Sequence, residues 1–171
     1  NKKILGHLSI LDFGEEIQEI NPFYVFGCNF SIRKSILIDA GGFHPDGMPQ
    51  ELIRYRGDGE THVSQYIHNK GLKSLYNPKA SVYHLVSEGR MTREYFKQRA
   101  YNQGISDSYT SIRNGKKKYF LKRKIKTLIK KFFFSQNVEI DESFFSGYQY
   151  HQQQVKGNLQ LRAWIIRESY I

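Results

Sequence analysis

The chain has a single cysteine, Cys28, in 171 residues. One thiol excludes an internal disulfide framework and a cysteine-based metal cluster, and it suits a reducing, cytoplasmic setting. Long apolar runs are also absent. Nothing approaches the ~20 residues needed to span a bilayer, and no signal-peptide core is present. Acids are scarce, 16 against 26 lysines and arginines, for a net charge of +10. No D-x-D triplet occurs anywhere, and the chain begins at Asn1 rather than methionine, so we expect it to start inside a longer protein.

What is present is globular in character: 39% hydrophobic and 25% charged residues, with enough length for one cored domain or a piece of a larger one. Aromatics reach 15%, from 12 Tyr, 12 Phe and one Trp. They serve either as core filler or as the lining of pockets and interfaces. The positive charge is concentrated, since residues 116–131 hold nine basic residues and no acid. That segment, rather than the whole fold, carries the electrostatic signal.

Pattern along the chain predicts strands at residues 3–11 (KILGHLSIL) and 23–30 (FYVFGCNF), the second introduced by Pro22. A short helix follows at about residues 33–40, stopped by Gly41 and Gly42. Residues 61–69 predict a second helix ending at Gly71, then two short strands at 72–76 and 80–86. Residues 92–113 turn helical, with Tyr95, Phe96, Ala100 and Tyr101 on one side, and Asn114 and Gly115 break the pattern. Residues 116–134 space Leu121, Ile125, Leu128 and Phe132 as one face of a basic amphipathic helix. The last stretch, 143–171, reads as helical in its second half, with Leu159, Leu161, Trp164 and Ile165 available for packing.

The chemistry centres on YRGDGETHV, residues 55–63, where Asp58 and Glu60 sit on a glycine-punctuated loop before Val63 and Ile67. Read alone, these acids mark a helix start, where the dipole favours anions. A lone histidine such as His84 is likewise more often structural than a ligand.

The succession of pieces says more. Cys28, Asn29 and Phe30 are followed by Arg33, then by Gly41, Gly42 and Phe43. Next come Asp58, Gly59 and Glu60, and after them Tyr76, Pro78, Ala80, Val82 and His84 in Y-x-P-x-A-x-V-x-H spacing. Five common pieces in this order, over about residues 20–113, resemble the C-terminal half of family 2 glycosyltransferases. The fold this implies is α/β: the acceptor-side half of a GT-A, Rossmann-like glycosyltransferase domain with short strands over residues 1–113. Residues 114–171 would add the basic helix and a C-terminal helical tail.

The resemblance implies an inverting transfer of a sugar from a nucleotide-sugar donor to a hydroxyl of a saccharide or lipid-linked acceptor. A carboxylate takes the hydroxyl proton as the oxygen attacks the anomeric carbon. In the family that base is the second acid of an ED pair. Here Val63 and Ile67 fall at the expected distances if Glu60 is the base and Gly59 replaces the first acid. Asp58 is the second candidate, as base or acceptor ligand. Asn29, Arg33 and Gly42 fall at the acceptor edge, or brace the loop. Arg90 contacts the donor diphosphate or caps the next helix. His84 is implied as a ligand of a divalent metal, Mn²⁺ or Mg²⁺, which neutralises the leaving phosphate. A GT-A domain also has a nucleotide-binding half ending in D-x-D, which does not occur here, so this chain alone is expected to turn over little.

Residues 116–134 have three readings: a solvated helix packed on the domain, a helix lying on an anionic membrane surface, and a nucleic-acid contact. No nucleic-acid module pattern accompanies the lysines, so no nucleic-acid partner is expected. Peripheral attachment at the inner face of the cell membrane would suit polysaccharide biosynthesis on lipid-linked acceptors. The contrasting reading of the whole chain is a non-catalytic fragment that docks on a membrane or partner.

Overall fold

A computed structural model describes residue 8, residues 10–115 and residues 138–171. The expected basic helix at 116–134 and most of the expected first strand at 3–11 lie outside the described residues. Over the described residues the protein is mixed α/β and mostly helical, with one short antiparallel sheet of two strands. It divides into two compact units that interleave along the sequence. Among the described residues no helix is long and apolar enough to cross a membrane.

The first unit comprises Asn1–His44, Gly59–Arg90 and Ser169–Ile171. Strands β1 (Gln18–Ile20) and β2 (Ser74–Tyr76) pair antiparallel, with Glu19 opposite Leu75. Phe13 packs edge-on against both Tyr24 and Tyr76. The expected strand at 23–30 is not formed. Asn21 instead accepts a hydrogen bond from the Phe23 amide at 3.0 Å and opens a 3-10 turn, Pro22–Tyr24, and a second follows at Gly27–Asn29. An asparagine side chain that satisfies the backbone locally offers an alternative to a strand ladder.

Helix α1 (Lys34–Asp39) ends as expected at Gly41 and Gly42, both at positive φ, where the Gly42 amide returns to the Leu37 carbonyl at 3.0 Å. Such a left-handed stop needs residues without a Cβ. Helix α2 (Glu60–Asn69) buries Val63 and Ile67, the pair expected from spacing, and ends at Gly71 with φ 64°. The expected strand at 72–76 shortens to β2. The expected strand at 80–86 is absent: Asn77 caps a 3-10 turn at Pro78–Ala80, and Val82, Tyr83 and Leu85 are exposed. Among the described residues no strand pairs with that segment, so its apolar residues have no ladder to join.

The second unit comprises Pro45–Asp58 and Met91–Glu168. It is built on helix α3 (Arg93–Asn114) and helix α4 (Val138–Lys156). The Thr92 hydroxyl caps α3 by accepting from the Tyr95 amide at 3.2 Å, and Gly115 closes it in the left-handed conformation. The buried face of α3 is Ala100, Gly104, Ile105, Ser106, Ser108 and Tyr109, so only Ala100 of the four expected face residues is buried. Gly104 and Gly147 are why α3 and α4 approach so closely. A Cβ on Gly104 would lie 2.0 Å from the Phe144 carbonyl oxygen, and one on Gly147 2.0 Å from that of Tyr101.

Helix α5 (Leu159–Ile166) starts at Asn158, whose side chain accepts from the Leu161 amide at 2.9 Å. It buries Leu161 and Ile165, while Trp164 donates to the Tyr55 carbonyl at 3.2 Å. Arg113 donates to the Ile165 and Arg167 carbonyls at 2.6 and 2.7 Å. A cation is well matched to that helix end.

Candidate functional site

Glu60 is the first residue of α2, and Gly59 sets its direction. Gly59 has φ 54° and ψ −126°, a conformation that effectively only glycine adopts. No side chain caps the helix at this position. Glu60 Oε1 accepts a hydrogen bond from the Gly27 amide at 3.1 Å. Oε2 has no hydrogen-bond partner among the described residues, and the residue is half-buried. One carboxylate oxygen is thus held by the backbone, and the other is not.

Asp58, two residues earlier, is engaged elsewhere. Its Oδ2 accepts from the Thr110 hydroxyl on α3 at 2.6 Å. One turn away on α3, Ser106 donates to the Gly57 carbonyl at 2.7 Å and accepts from Arg56 at 3.2 Å. Residues 56–58 are therefore tied turn by turn to α3 within the second unit, whereas Glu60 begins a helix of the first.

The remaining expected site residues fall into four groups. Asn29 donates from Nδ2 to the Ala80 carbonyl at 2.6 Å, linking the Gly27–Asn29 turn to the Pro78–Ala80 turn. Arg33 occupies the N-cap position of α1 and is exposed; its carbonyl accepts from the Leu37 amide at 3.2 Å, and its side chain makes no hydrogen bond or ion pair among the described residues. Gly42 is buried at φ 84°, and a Cβ there would lie 2.7 Å from Cγ2 of Ile171. Its smallness serves packing against the C-terminal residues.

His84 and Arg90 do come together. His84 Nδ1 donates to the Leu8 carbonyl at 2.8 Å, which leaves Nε2 as the acceptor facing Arg90 Nη1 at 3.4 Å. A lone imidazole whose free nitrogen faces a guanidinium does not fit a divalent cation, because the two positive charges would repel. Among the described residues no group of three or more His, Cys, Asp or Glu side chains is arranged to hold a metal ion. The cationic Arg90 instead suits an anion.

An open cleft of about 510 Å³ lies at the other end of α2, lined by residues that include Glu19, Asn21, His68 and Leu72. His68 is eight residues beyond Glu60, or roughly 12 Å along the helix axis. The cleft does not contain the candidate base.

One polar cluster has no signal in the sequence. In the second unit His151 Nδ1 accepts from the Ser108 hydroxyl at 2.7 Å and Nε2 donates to the Arg54 carbonyl at 3.1 Å. Gln152 donates to Ser108 at 3.0 Å. Burial pushes the His151 imidazole down to about 4, and the Arg54 carbonyl, which favours the proton on Nε2, acts in the opposite direction. Ser108 and His151 are each 0% exposed, so this serine–histidine pair cannot meet a substrate and is a structural network. Ser108 and His151 stand 43 residues apart on different helices, which no local pattern reveals.

Comparison with protein-family models, characterised proteins and solved structures found no match for the chain.

Proposed function

We propose that the chain supplies the acceptor-side half of an inverting, nucleotide-sugar-dependent glycosyltransferase with a GT-A fold, and that Glu60 is its general base. The observation that carries the reading is the Glu60 carboxylate, held through Oε1 by the Gly27 amide at 3.1 Å, with Oε2 unengaged among the described residues. Two further contacts support it, because they join the pieces on which the resemblance rests. Asn29 reaches the Ala80 carbonyl, and His62 of α2 bonds the Ala40 carbonyl beside Gly41 and Gly42.

In the proposed reaction Oε2 accepts the proton of an acceptor hydroxyl as its oxygen forms a bond to the anomeric carbon. The bond from that carbon to the nucleoside diphosphate breaks, and its electron pair leaves with the phosphate oxygen. Arg90 is the cation available to the departing diphosphate. The acceptor is a saccharide or a lipid-linked saccharide. Attachment to an anionic inner membrane face rests on residues 116–134 alone.

The test is release of nucleoside diphosphate from UDP- and GDP-sugars by the full-length protein. Glu60→Gln should lower turnover about 10²–10⁴-fold with the fold intact. Asp58→Asn should lower stability and leave turnover per folded molecule unchanged. Near wild-type turnover by Glu60→Gln rejects the assignment, and failure of the wild-type protein to release any nucleoside diphosphate rejects the enzyme.

A further inference from the structure

Helix α2 begins without a side-chain cap, since Gly59 occupies the N-cap position. With no cap to fix that start, contacts made by the side chains of the first turn set its orientation. Two such contacts flank the turn. Glu60 is held by the Gly27 amide at 3.1 Å, and His62 Nε2 donates to the Ala40 carbonyl at 2.8 Å. At ~100° per residue, positions 60 and 62 point about 200° apart, so these contacts grip the turn from opposite sides and resist its rotation.

The His62 side of this grip is backed by a ring stack. The His44 and His62 rings lie 3.8 Å apart at 17°, and His44 is only 3% exposed. The ring of Tyr170 meets His44 edge-on, with centroids 5.1 Å apart. Tyr170 is itself held by its amide, which donates to the Gly41 carbonyl at 3.0 Å. Beside it the Ile171 side chain occupies the space a Cβ on Gly42 would take. The Ser169 hydroxyl donates to the Ile171 carbonyl at 2.8 Å and so folds the segment on itself. Residues Ser169–Ile171 thus form a short strap across the Gly41 and Gly42 turn, all within the first unit.

We propose that His44 is a positioning residue for Glu60. Clamped between the Tyr170 strap and the His62 ring, it fixes the azimuth of the first turn of α2 and thereby the contact of Glu60 with the Gly27 amide. The positional claim stands on these contacts alone; its consequence for catalysis rests on Glu60 being the base. What the stack needs from residue 44 is a flat ring.

Amide hydrogen exchange at Gly27, followed by NMR on the full chain, tests this directly. His44→Ala and Tyr170→Ala should each speed exchange at Gly27 by roughly tenfold while amides of β1 and β2 keep their rates. His44→Phe, which keeps a flat ring, should return the rate close to wild type. If His44→Ala does not fold, Tyr170→Ala and His44→Phe still decide the matter, because only the first should move the Gly27 rate. Unchanged Gly27 exchange in Tyr170→Ala, or exchange in His44→Phe as fast as in an unstacked variant, overturns the proposal. Failure of the Glu60 assignment looks different: Gly27 exchange still responds to Tyr170→Ala, but Glu60→Gln leaves sugar transfer untouched. If both hold, Tyr170→Ala lowers kcat with KM for the donor unchanged.

Discussion

Acid should weaken the second unit through His151, and by a calculable amount. Burial holds its imidazole at about 4 against 6.5 for an unperturbed histidine. Between those values the unfolded chain binds a proton at this site that the folded one refuses. Stability rises with pH wherever the unfolded state binds more protons, so it must fall as pH drops from about 6.5 to about 4 and then level off. At 1.36 kcal/mol for each pH step, the gap amounts to about 3 kcal/mol. That is a large share of the ~5–15 kcal/mol that holds a domain folded.

Trp164, the only tryptophan, lies in the same unit and donates to Tyr55, so its fluorescence reports unfolding there. Urea midpoints should be taken at pH 7, 6, 5 and 4 for the wild type and His151→Phe. The variant leaves the Ser108 hydroxyl and the Arg54 carbonyl without their partner, and should be less stable at pH 7 by ~1–3 kcal/mol for each buried group. It should also lose the His151 share of the pH slope. Carboxylates titrate near pH 4 in both proteins, so the difference between the curves isolates the histidine. Parallel curves from pH 6.5 to 4 would refute the idea that His151 is kept neutral by burial.

Gly104→Ala and Gly147→Ala each put a methyl 2.0 Å from a facing carbonyl oxygen, when real Cβ contacts essentially never fall below 3.0 Å, so α3 and α4 must part by at least 1.0 Å (3.0 − 2.0). The expected cost is ~2–4 kcal/mol despite the helix-propensity gain of alanine. The double variant should cost less than the sum, because one separation serves both methyls, and Gly157→Ala, with open space around it, should be near neutral in the same urea series. Gly59→Ala forces a Cβ into φ 54°, ψ −126° and should cost ~1–3 kcal/mol, read as faster amide exchange across the first turn of α2. Thr110→Val removes the donor to Asp58, and Asp58→Asn weakens the same bond, so each should cost ~1–2 kcal/mol and the pair less than their sum in a double-mutant cycle.

Local chemistry explains which elements could be read in advance. The start of α2, its buried Val63 and Ile67, the stops at Gly41, Gly42 and Gly71, and the span of α3 all follow from spacing and from glycines at positive φ. Both failed strands begin beside the same turn signal. Asn21 with Pro22 and Asn77 with Pro78 are the same dipeptide, and each opens a 3-10 turn capped by the asparagine side chain. At the first, the aromatic run after Pro22 reads as a strand and masks the turn signal of the dipeptide. Apolar composition signals burial or pairing, but it cannot supply the neighbouring strand. Tertiary contacts were illegible for a different reason: the close approach at Gly104 and Gly147, and the Ser108–His151 bond, depend on two helices meeting at one height.

Gly59 is where the two acids part. An adjacent acidic pair would share one helix start and compete for the same amides. In this chain a glycine stands between them, in a conformation an acidic residue could adopt only with strain. The backbone turns there, leaving Asp58 behind on Thr110 and carrying Glu60 to Gly27. A carboxylate already accepting a 2.6 Å hydrogen bond from a half-buried threonine, among residues stitched to α3, has a partner to lose before it can serve as a base. Glu60 has an oxygen with none among the described residues. In the proposed reading, the spacing to Val63 and Ile67 and the engagement of Asp58 by Thr110 are both reasons to prefer Glu60 as the base. The glycine that stands in the expected acidic pair lets the two acids take different partners.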